Sequence, residues 1–289
     1  MKPIFYSEEE EMLLSEIIKK PREFFITHKI NLSPGRQKMF ARGKNMLAKG
    51  FPLAYVLGFK WFFGNKFSVN PNVLIPRPET ELLVEDVWEQ IRKIPKDKNN
   101  KIIIADVGTG SGAIVISIAK ELEKIRGDAR NIYLMGTDIS GEALKVAKTN
   151  ARAILRRKKI KFLKGNLAMP IFSELRRSSF QPEKTFIIIT ANLPYLSKKE
   201  LVAPSIKKEP KSALLGGKQK GFETIARFIG QIAKENKLQS AALASVFLEI
   251  NYNQARMAKK TIRENFPRAK IKLKKDLAGF YRLANFELP

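Results

Sequence analysis

The sequence predicts an α/β fold, in which a parallel sheet with helices on both faces follows a small helical domain and a linking β-hairpin. Strand-like apolar runs alternate with helical ones from Lys101 onward, the pattern of a parallel sheet with crossover helices. A glycine-rich turn follows the first of these strands, and helical spacing fills the N-terminal part. We expect residues 1–55 to form a helical bundle, residues 56–76 the hairpin linker and residues 77–289 the α/β domain.

The N-terminal part shows apolar residues at helical spacing from Glu8 to about Lys49. Prolines and glycine interrupt this spacing, so it predicts about three helices. Trp61 to Val69 then places a Gly-Asn pair between two aromatic arms, which is typical of a β-hairpin. The interruptions are Pro21, Pro34 and Gly50.

In the α/β domain, apolar runs predict the strands and apolar stripes predict the helices. A helix with Leu82, Leu83, Val87 and Ile91 on its apolar face comes before the first strand. Strands are predicted at 102–107, 132–137, 160–163, 186–190 and 241–250, with a closing pair at 270–274 and 281–286. Helices between them are predicted to begin near Ser111, Gly141, Gly221 and Asn253.

Composition limits the kinds of chemistry that the protein can perform. With 289 residues, 44% of them hydrophobic, the chain resembles globular proteins, and no apolar run is long enough to span a bilayer. The N-terminus lacks a signal-peptide pattern, so we expect a cytoplasmic protein. Cysteine is absent and histidine occurs once, which excludes disulfides, thiolate nucleophiles and His/Cys metal sites. We expect no metal.

The net charge of +26, from 54 basic and 28 acidic residues, is the strongest compositional signal. Such a field attracts a polyanionic or acidic partner. The alternative is a general lysine bias, because most of these lysines fall on predicted solvent faces rather than in one aromatic-laced patch. The sequence leaves both interpretations open.

A glycine-rich segment, Asp106-Val107-Gly108-Thr109-Gly110-Ser111-Gly112, follows the first strand of the predicted sheet. Its glycines allow a tight turn and a close approach to a ligand, and the segment leads into a helix N-terminus. A dinucleotide site has a similar loop, so the loop alone is weak evidence. Asp106 can reach the ammonium of the methionine part of S-adenosylmethionine, which favours that cofactor.

The ends of the next two strands offer groups for the rest of this cofactor. Asp138 lies about thirty residues after the loop, later than the roughly twenty typical of dinucleotide sites, and can accept both ribose hydroxyls. Its alternative role is to cap the helix that begins at Gly141. Asn166 and Leu167 follow the third strand, where Asn166 can bind adenine and Leu167 can pack on it. An ordinary turn is the alternative there.

The tetrapeptide Asn192-Leu193-Pro194-Tyr195 follows a β-branched run, at the end of a strand where open α/β sheets bind ligands. The Asn192 side-chain oxygen and the Leu193 carbonyl can each accept one N–H of a planar nitrogen. Pro194 stiffens the loop, and Tyr195 can stack on the acceptor. Taken alone, the tetrapeptide is also compatible with a Pro-Tyr turn and an Asx cap. Together with the glycine loop it indicates methyl transfer to an amide or amine.

These segments resemble the release factor glutamine methyltransferases, a branch of the class I S-adenosylmethionine-dependent enzymes. The resemblance covers nearly the whole chain, and Pro76-Arg77-Pro78-Glu79-Thr80 is its most family-specific stretch. Further matching segments are Pro52 to Gly58, the aromatic hairpin, Leu74 to Glu81, Asp106 to Ile114, Asp138 to Ser140, Glu209-Pro210, Ala213 to Gly217, Leu248 to Ile250 and Lys275 to Gly279.

The resemblance implies a Rossmann-like class I methyltransferase sheet and methylation of the side-chain amide of the glutamine in the Gly-Gly-Gln motif of peptide chain release factors. It implies that the glycine loop, Asp138 and the Asn166-Leu167 pair contact the cofactor. Asn192 to Tyr195 would surround the glutamine, with Asn192 also bordering the cofactor. S-Adenosylhomocysteine would be the product. The N-terminal helices would help dock the release factor, commonly an acidic protein, and we expect a monomer.

Some positions depart from the family pattern, and two other acceptors are compatible with the motifs. Leu193 replaces a proline, Asn166 replaces an aspartate, and the N-terminal bundle is about one helix short. Ribosomal RNA adenine dimethyltransferases share a similar tetrapeptide, and the basic charge would suit RNA. In those enzymes, however, the glycine loop lies close to the N-terminus. A glutamine of a ribosomal protein is the third acceptor. We do not favour direct nucleic-acid binding.

Overall fold

The computed structural model describes residues 6–24, 28, 30–125, 131–177, 181–218, 220–235, 238 and 240–288. In the N-terminal part, three helices pack around Leu13, Leu14 and Phe40. Part of the predicted second helix, residues 25–27, lies outside the described residues. The helices are α1 (Glu8–Ile18), α2 (Pro34–Ala48) and α3 (Leu53–Leu57).

The aromatic hairpin consists of β1 (Phe59–Phe62) and β2 (Asn65–Ser68), as the sequence predicts. Its two turn residues are Phe63 and Gly64, with φ of 47° and 69°, rather than the predicted Gly64 and Asn65. The Asn65 side chain donates to the Phe63 carbonyl at 2.8 Å, and the Phe63 N–H donates to Glu81 at 2.8 Å. These two bonds explain why a phenylalanine adopts a left-handed conformation there.

A seven-stranded sheet forms the centre of the α/β domain, in the order β5-β4-β3-β6-β7-β9-β8. Strand β9 is antiparallel to both of its neighbours, and β3 to β7 are parallel to one another. The α/β class is therefore confirmed. The strands are β3 (Lys101–Val107), β4 (Asn131–Asp138), β5 (Ile160–Lys164), β6 (Thr185–Ala191), β7 (Leu243–Glu249), β8 (Lys270–Lys275) and β9 (Tyr281–Glu287).

Helices cover both faces of the sheet and form two apolar cores. One core contains α4 (Glu81–Lys93), α5 (Ala113–Lys124) and the end of α6 (Gly141–Ile154), and the other contains α7 (Met169–Arg177), α9 (Glu223–Ala233) and α10 (Ala255–Asn265). Helix α8 (Lys211–Leu214) is a single turn beside the site. Helix α7 was not predicted, because its buried stripe of Ile171, Phe172 and Leu175 covers little more than one turn.

The hairpin is attached to the α/β domain through buried Asn150 on α6. Its side chain accepts from the Ser68 N–H at 2.8 Å and donates to the Ser68 carbonyl at 3.0 Å and to the Ser111 carbonyl at 2.9 Å. Helix α3 runs from Leu53 to Leu57 and therefore crosses the boundary predicted between residues 55 and 56. The division into three parts stays a prediction. None of the helices in the described part of the chain is long and apolar enough to cross a membrane.

Candidate active site

A cavity of about 250 Å³ opens at the carboxyl edge of the parallel strands. Strand register explains the location, because Val107 pairs with both Thr137 and Ala191, so three strands end together. The cavity wall includes Gly108, Gly110, Asp138, Asn166, Leu167, Asn192, Leu193 and Pro194. Eight of the predicted site residues, drawn from four separate segments, therefore line one cavity. Leu74, Pro210 and Ser212 are part of the same lining.

The glycine loop needs its glycines for backbone conformation and for space. Gly108, Gly110 and Gly112 have φ of 72°, 54° and 82°, in the left-handed region that disfavours other residues. A Cβ at Gly112 would lie 2.5 Å from the Ile116 side chain, and one at Gly108 would lie 3.1 Å from Leu193. Thr109, Ser111 and Gly112 belong to the same loop but do not line the cavity.

Asp106 lies beneath this loop and is fully buried. Its carboxylate accepts the Thr109 hydroxyl at 2.6 Å and the Thr190 hydroxyl at 2.8 Å. Burial raises the pKa of Asp106 to about 7, although these two hydroxyls lower it. A buried carboxyl with a raised pKa would be stabilised in its charged form by a nearby cation. Asp106 therefore fits a cationic ligand, although it lies behind the cavity lining rather than in it.

Asp138 is at the end of β4 and joins the glycine loop to the start of α6. Its carboxylate accepts the Gly110 N–H at 2.9 Å and the Ser140 N–H at 2.8 Å. Burial raises the pKa of Asp138, and these N–H groups act against that shift. The N-cap of α6 itself is Ser140, whose hydroxyl accepts from the Ala143 N–H. Asp138 lines the cavity and keeps further lone pairs for a ligand's hydroxyls.

Asn166 and Leu167 form the wall that follows β5. Leu167 has a φ of 53°, unusual for a leucine, which costs about 1–3 kcal/mol. Its carbonyl accepts the Thr137 hydroxyl at 3.0 Å, and the Thr137 carbonyl accepts the Thr109 N–H at 2.8 Å. This chain of bonds connects three strand ends and holds Leu167 in place. Backbone strain that the surroundings maintain is characteristic of ligand sites.

The tetrapeptide has two sides in the structure. Asn192, Leu193 and Pro194 line the cavity, and Asn192 donates from Nδ2 to the Thr80 hydroxyl at 3.0 Å. Tyr195 lies outside the lining and packs on the core. Its hydroxyl donates to Glu249 at 3.1 Å, and its backbone carbonyl accepts from Gln254 at 2.9 Å. In this structure Tyr195 fixes the loop from behind, which differs from the predicted stacking on an acceptor.

The segment from Leu74 to Thr80 also belongs to the site, although no role was predicted for it. Glu209, 4% exposed, accepts the Ile75 N–H at 3.0 Å and the Arg77 guanidinium at 2.5 Å. This partly buried ion pair connects the segment to the chain before α8. Thr80, at its end, is 3% exposed and meets Asn192. Arg77 and Thr80 both belong to the Pro-Arg-Pro-Glu-Thr stretch, which was the signal for this wall.

Gly216 is a second part of the site for which no role was predicted. It allows the tetrapeptide and the segment after α8 to approach closely. A Cβ there would lie 2.4 Å from the Pro194 carbonyl oxygen and 1.9 Å from the Gly221 carbonyl oxygen. The Leu196 N–H donates to the Leu214 carbonyl at 2.9 Å, and the Gly216 N–H donates to the Leu196 carbonyl at 3.1 Å. The segment that contains Gly216 thus holds the carboxyl end of the tetrapeptide.

Comparisons with known proteins identify the family of this chain. The family model described as N-6 DNA methylase matches residues 72–266. A release factor glutamine methyltransferase from Coxiella burnetii is 34% identical over 274 residues, which cover 94% of this chain and 88% of the relative. One with the same name from Bacillus cereus is 31% identical over 282 residues, covering 96% of this chain and 91% of the relative.

Solved structures support the fold. The catalytic domain of hMettl16, in complex with a 3′ untranslated-region hairpin, aligns with a TM-score of 0.55 at 14% identity. The alignment covers 95% of this chain and 91% of that one. At this identity the likeness concerns the methyltransferase fold alone.

Proposed function

This chain belongs to the release factor glutamine methyltransferases, and from that membership we propose that it transfers a methyl group from S-adenosylmethionine to a glutamine side-chain amide of a peptide chain release factor. The acceptor would be the glutamine of the Gly-Gly-Gln motif. The observation that carries the proposal is the position of Asn192. Its Nδ2 is bound by Thr80, which leaves its side-chain oxygen for an N–H in the cavity.

We propose that S-adenosylmethionine binds in this cavity, because several parts of that molecule would meet groups of suitable chemistry there. Gly108 and Gly110 allow a close backbone approach, and the Asp106 carboxylate beneath them favours a cationic group. Asp138 would accept the ribose hydroxyls, and Asn166 with Leu167 would hold the adenine. When bound, the cofactor supplies a methyl group on a sulfonium and leaves as S-adenosylhomocysteine.

The protein's own task is to fix an otherwise poor nucleophile. The lone pair of an amide nitrogen is delocalised into its carbonyl, so geometry matters more than a strong base. Asn192 Oδ1 and the Leu193 carbonyl would each accept one N–H and favour positive charge on the nitrogen. Leu193, 2% exposed and packed against Gly108, keeps this carbonyl in place without the family's usual proline. After transfer, one N–H proton is lost to water.

We further propose that helices α1 to α3 dock the release factor and that the enzyme acts as a monomer in the cytoplasm. The net charge of +26 supports one part of this proposal, because it favours an acidic protein as the partner. In the same proposal, residues 1–55, 56–76 and 77–289 are the docking bundle, the linker and the catalytic domain.

The proposal predicts that purified protein with labelled S-adenosylmethionine will methylate a release factor. Changing the Gly-Gly-Gln glutamine of that factor to alanine should abolish labelling, because no acceptor amide is left. Ribosomal RNA and ribosomal proteins serve as competing substrates in parallel reactions. Label entering an adenine of ribosomal RNA, or a glutamine of a ribosomal protein, instead would refute the release factor proposal.

Cofactor binding should release protons near neutral pH. The pKa of Asp106 is about 7 in the free protein, so the carboxyl is partly protonated there. A bound ammonium favours the charged carboxylate and lowers this pKa, so affinity should rise as pH increases through about 7. Calorimetric titration with S-adenosylhomocysteine, in buffers of different ionisation enthalpy, measures the released protons.

The Asp106→Asn variant is the control for this titration. Without the carboxyl, proton release should disappear, and the affinity should no longer depend on pH in this range. Equal proton release by the variant and the parent protein would show that another group is responsible. If the parent protein releases no protons, ligand binding does not change the protonation of Asp106.

A further inference from the structure

Gln254 is a fully buried glutamine directly before α10, and its side chain contacts the last residue of the tetrapeptide. Its Nε2 donates to the Tyr195 carbonyl at 2.9 Å and to the Lys220 carbonyl at 3.2 Å, and its Oε1 accepts the Asn251 N–H at 3.1 Å. An amide NH₂ has two hydrogens, so it can serve both carbonyls. Gln254 does not line the cavity, and neither the proposed methyl transfer nor the proposed cofactor contacts use it.

These three bonds fix the direction in which the Gln254 amide points. In the reversed orientation its oxygen would face two carbonyl oxygens and its NH₂ would face the Asn251 N–H, so every contact would become repulsive. A buried polar group is costly unless it is hydrogen-bonded, whereas a fully bonded one makes its surroundings rigid. Gln254 therefore joins the segment of Tyr195 and the segment of Lys220 firmly to the start of α10.

The two segments that Gln254 joins lie directly against each other and against Pro194. A Cβ at Gly221 would lie 2.3 Å from the Tyr195 carbonyl oxygen, and one at Gly216 would lie 2.4 Å from the Pro194 carbonyl oxygen. Backbones approach this closely only where no side chain lies between them. The Gln254 NH₂ supplies hydrogens to one carbonyl of each segment, which keeps the two segments together.

Asn251, which is 4% exposed, provides a second attachment for the chain that follows the tetrapeptide. Its Nδ2 donates to Glu200 at 2.7 Å, and Glu200 accepts the N–H and the hydroxyl of Ser197 at 2.8 and 2.7 Å. The residues between β7 and α10 therefore hold this chain at the Tyr195 carbonyl and again near Ser197. Two attachments prevent the rotation that a single one would allow.

We propose that Gln254 is a positioning residue, which holds the Tyr195 carbonyl so that the Leu193 carbonyl faces the acceptor nitrogen. The inference rests on the proposed function, because it concerns the same site. Pro194 lies between these two carbonyls and its ring fixes φ at about −65°, so a shift of Tyr195 is passed on to the Leu193 carbonyl. A misplacement of about 1 Å can lower a rate about 100-fold. Gln254 thus acts on the transfer step, whereas the proposed cofactor contacts lie at the ends of β3, β4 and β5.

Gln254→Leu tests the proposal, because leucine fills a similar space and has no hydrogen to donate. We expect kcat for release factor methylation, counted per cofactor site, to fall about 10- to 100-fold. The KM for the release factor and the dissociation constant for S-adenosylhomocysteine should each change by less than about threefold, since neither contact surface is altered. Calorimetric titration with S-adenosylhomocysteine counts the sites, so unfolded protein does not contribute to the loss of kcat.

Hydrogen exchange followed by mass spectrometry tests the positioning role without any acceptor. The Leu196 N–H donates to the Leu214 carbonyl and the Gly216 N–H donates to the Leu196 carbonyl, so these two amides report whether the segments stay together. In Gln254→Leu they should exchange at least about tenfold faster than in the parent protein, with the amides of β3 unchanged. Gln254→Asn, which withdraws the amide by one methylene, provides the same measurements if the leucine variant does not fold.

Gln90→Leu is the matched control, because Gln90 is a buried glutamine on α4, 8% exposed, that does not line the cavity. It should retain kcat and the exchange of both amides at temperatures below its unfolding midpoint. Parental kcat per cofactor site in the Gln254 variants, or unchanged exchange at Leu196 and Gly216, would overturn the positioning role. A loss of cofactor affinity that matches the loss of kcat would overturn it as well. Parent protein that methylates no release factor would instead refute the proposed function.

Discussion

Replacing Asn192 with alanine is expected to lower kcat for release factor methylation about 100- to 1,000-fold. The substitution removes the side-chain oxygen that would accept one N–H of the glutamine amide, and only the Leu193 carbonyl would remain to orient the nitrogen. The fold should persist, because Asn192 is only partly buried and its contact with Thr80 is at the cavity wall. Single-turnover rates at saturating cofactor measure the effect on the transfer step.

Asn166→Ala is the matched control for this variant. It removes the same kind of side chain from another part of the lining of the same cavity, where the adenine is proposed to bind. It should weaken cofactor binding severalfold and leave kcat at saturating cofactor nearly unchanged, whereas Asn192→Ala should keep cofactor affinity within about threefold. An Asn192 variant that loses cofactor affinity in proportion to kcat would show that the residue supports the cofactor and not the acceptor.

Most of the fold was predictable because its signals are local. The buried strands β3 and β6 each contain a run of β-branched residues. The first is followed by glycines and the second by a proline, and both residue types are typical of turns. Helix α7 was missed because its apolar stripe is short. The predicted position of the hairpin turn was wrong by one residue. Phe63 adopts a positive φ in that turn, and its N–H is bound by Glu81, which lies 18 residues later in the sequence.

The site was predictable where a residue lies at a strand end, and unpredictable where long-range contacts decide its role. Gly108, Asp138 and Asn192 all line the cavity, as strand order requires. By contrast, the Asn192 contact with Thr80 spans 112 residues of sequence and the Arg77–Glu209 pair spans 132. Motif matching located these segments, but no spacing rule predicts that they meet.

Replacing Asp138 with alanine is expected to weaken binding of S-adenosylhomocysteine about 100-fold or more. Two hydrogen bonds from ribose hydroxyls to a charged carboxylate contribute about 1.5–3 kcal/mol each, and 1.4 kcal/mol corresponds to a tenfold change in affinity. Calorimetric or fluorescence titration measures the dissociation constant. The carboxylate also binds the Gly110 and Ser140 N–H groups, so a loosened loop could cause the same loss.

A cofactor analogue lacking the ribose 2′-hydroxyl separates these two causes. If Asp138 contacts that hydroxyl, the analogue should bind the parent protein about tenfold more weakly than S-adenosylhomocysteine, and Asp138→Ala should bind both ligands equally. The coupling between the residue and the hydroxyl is then the contribution of the direct contact. An equal loss with both proteins would contradict ribose binding and assign Asp138 to the support of the glycine loop, where its bonds to Gly110 and Ser140 already place it.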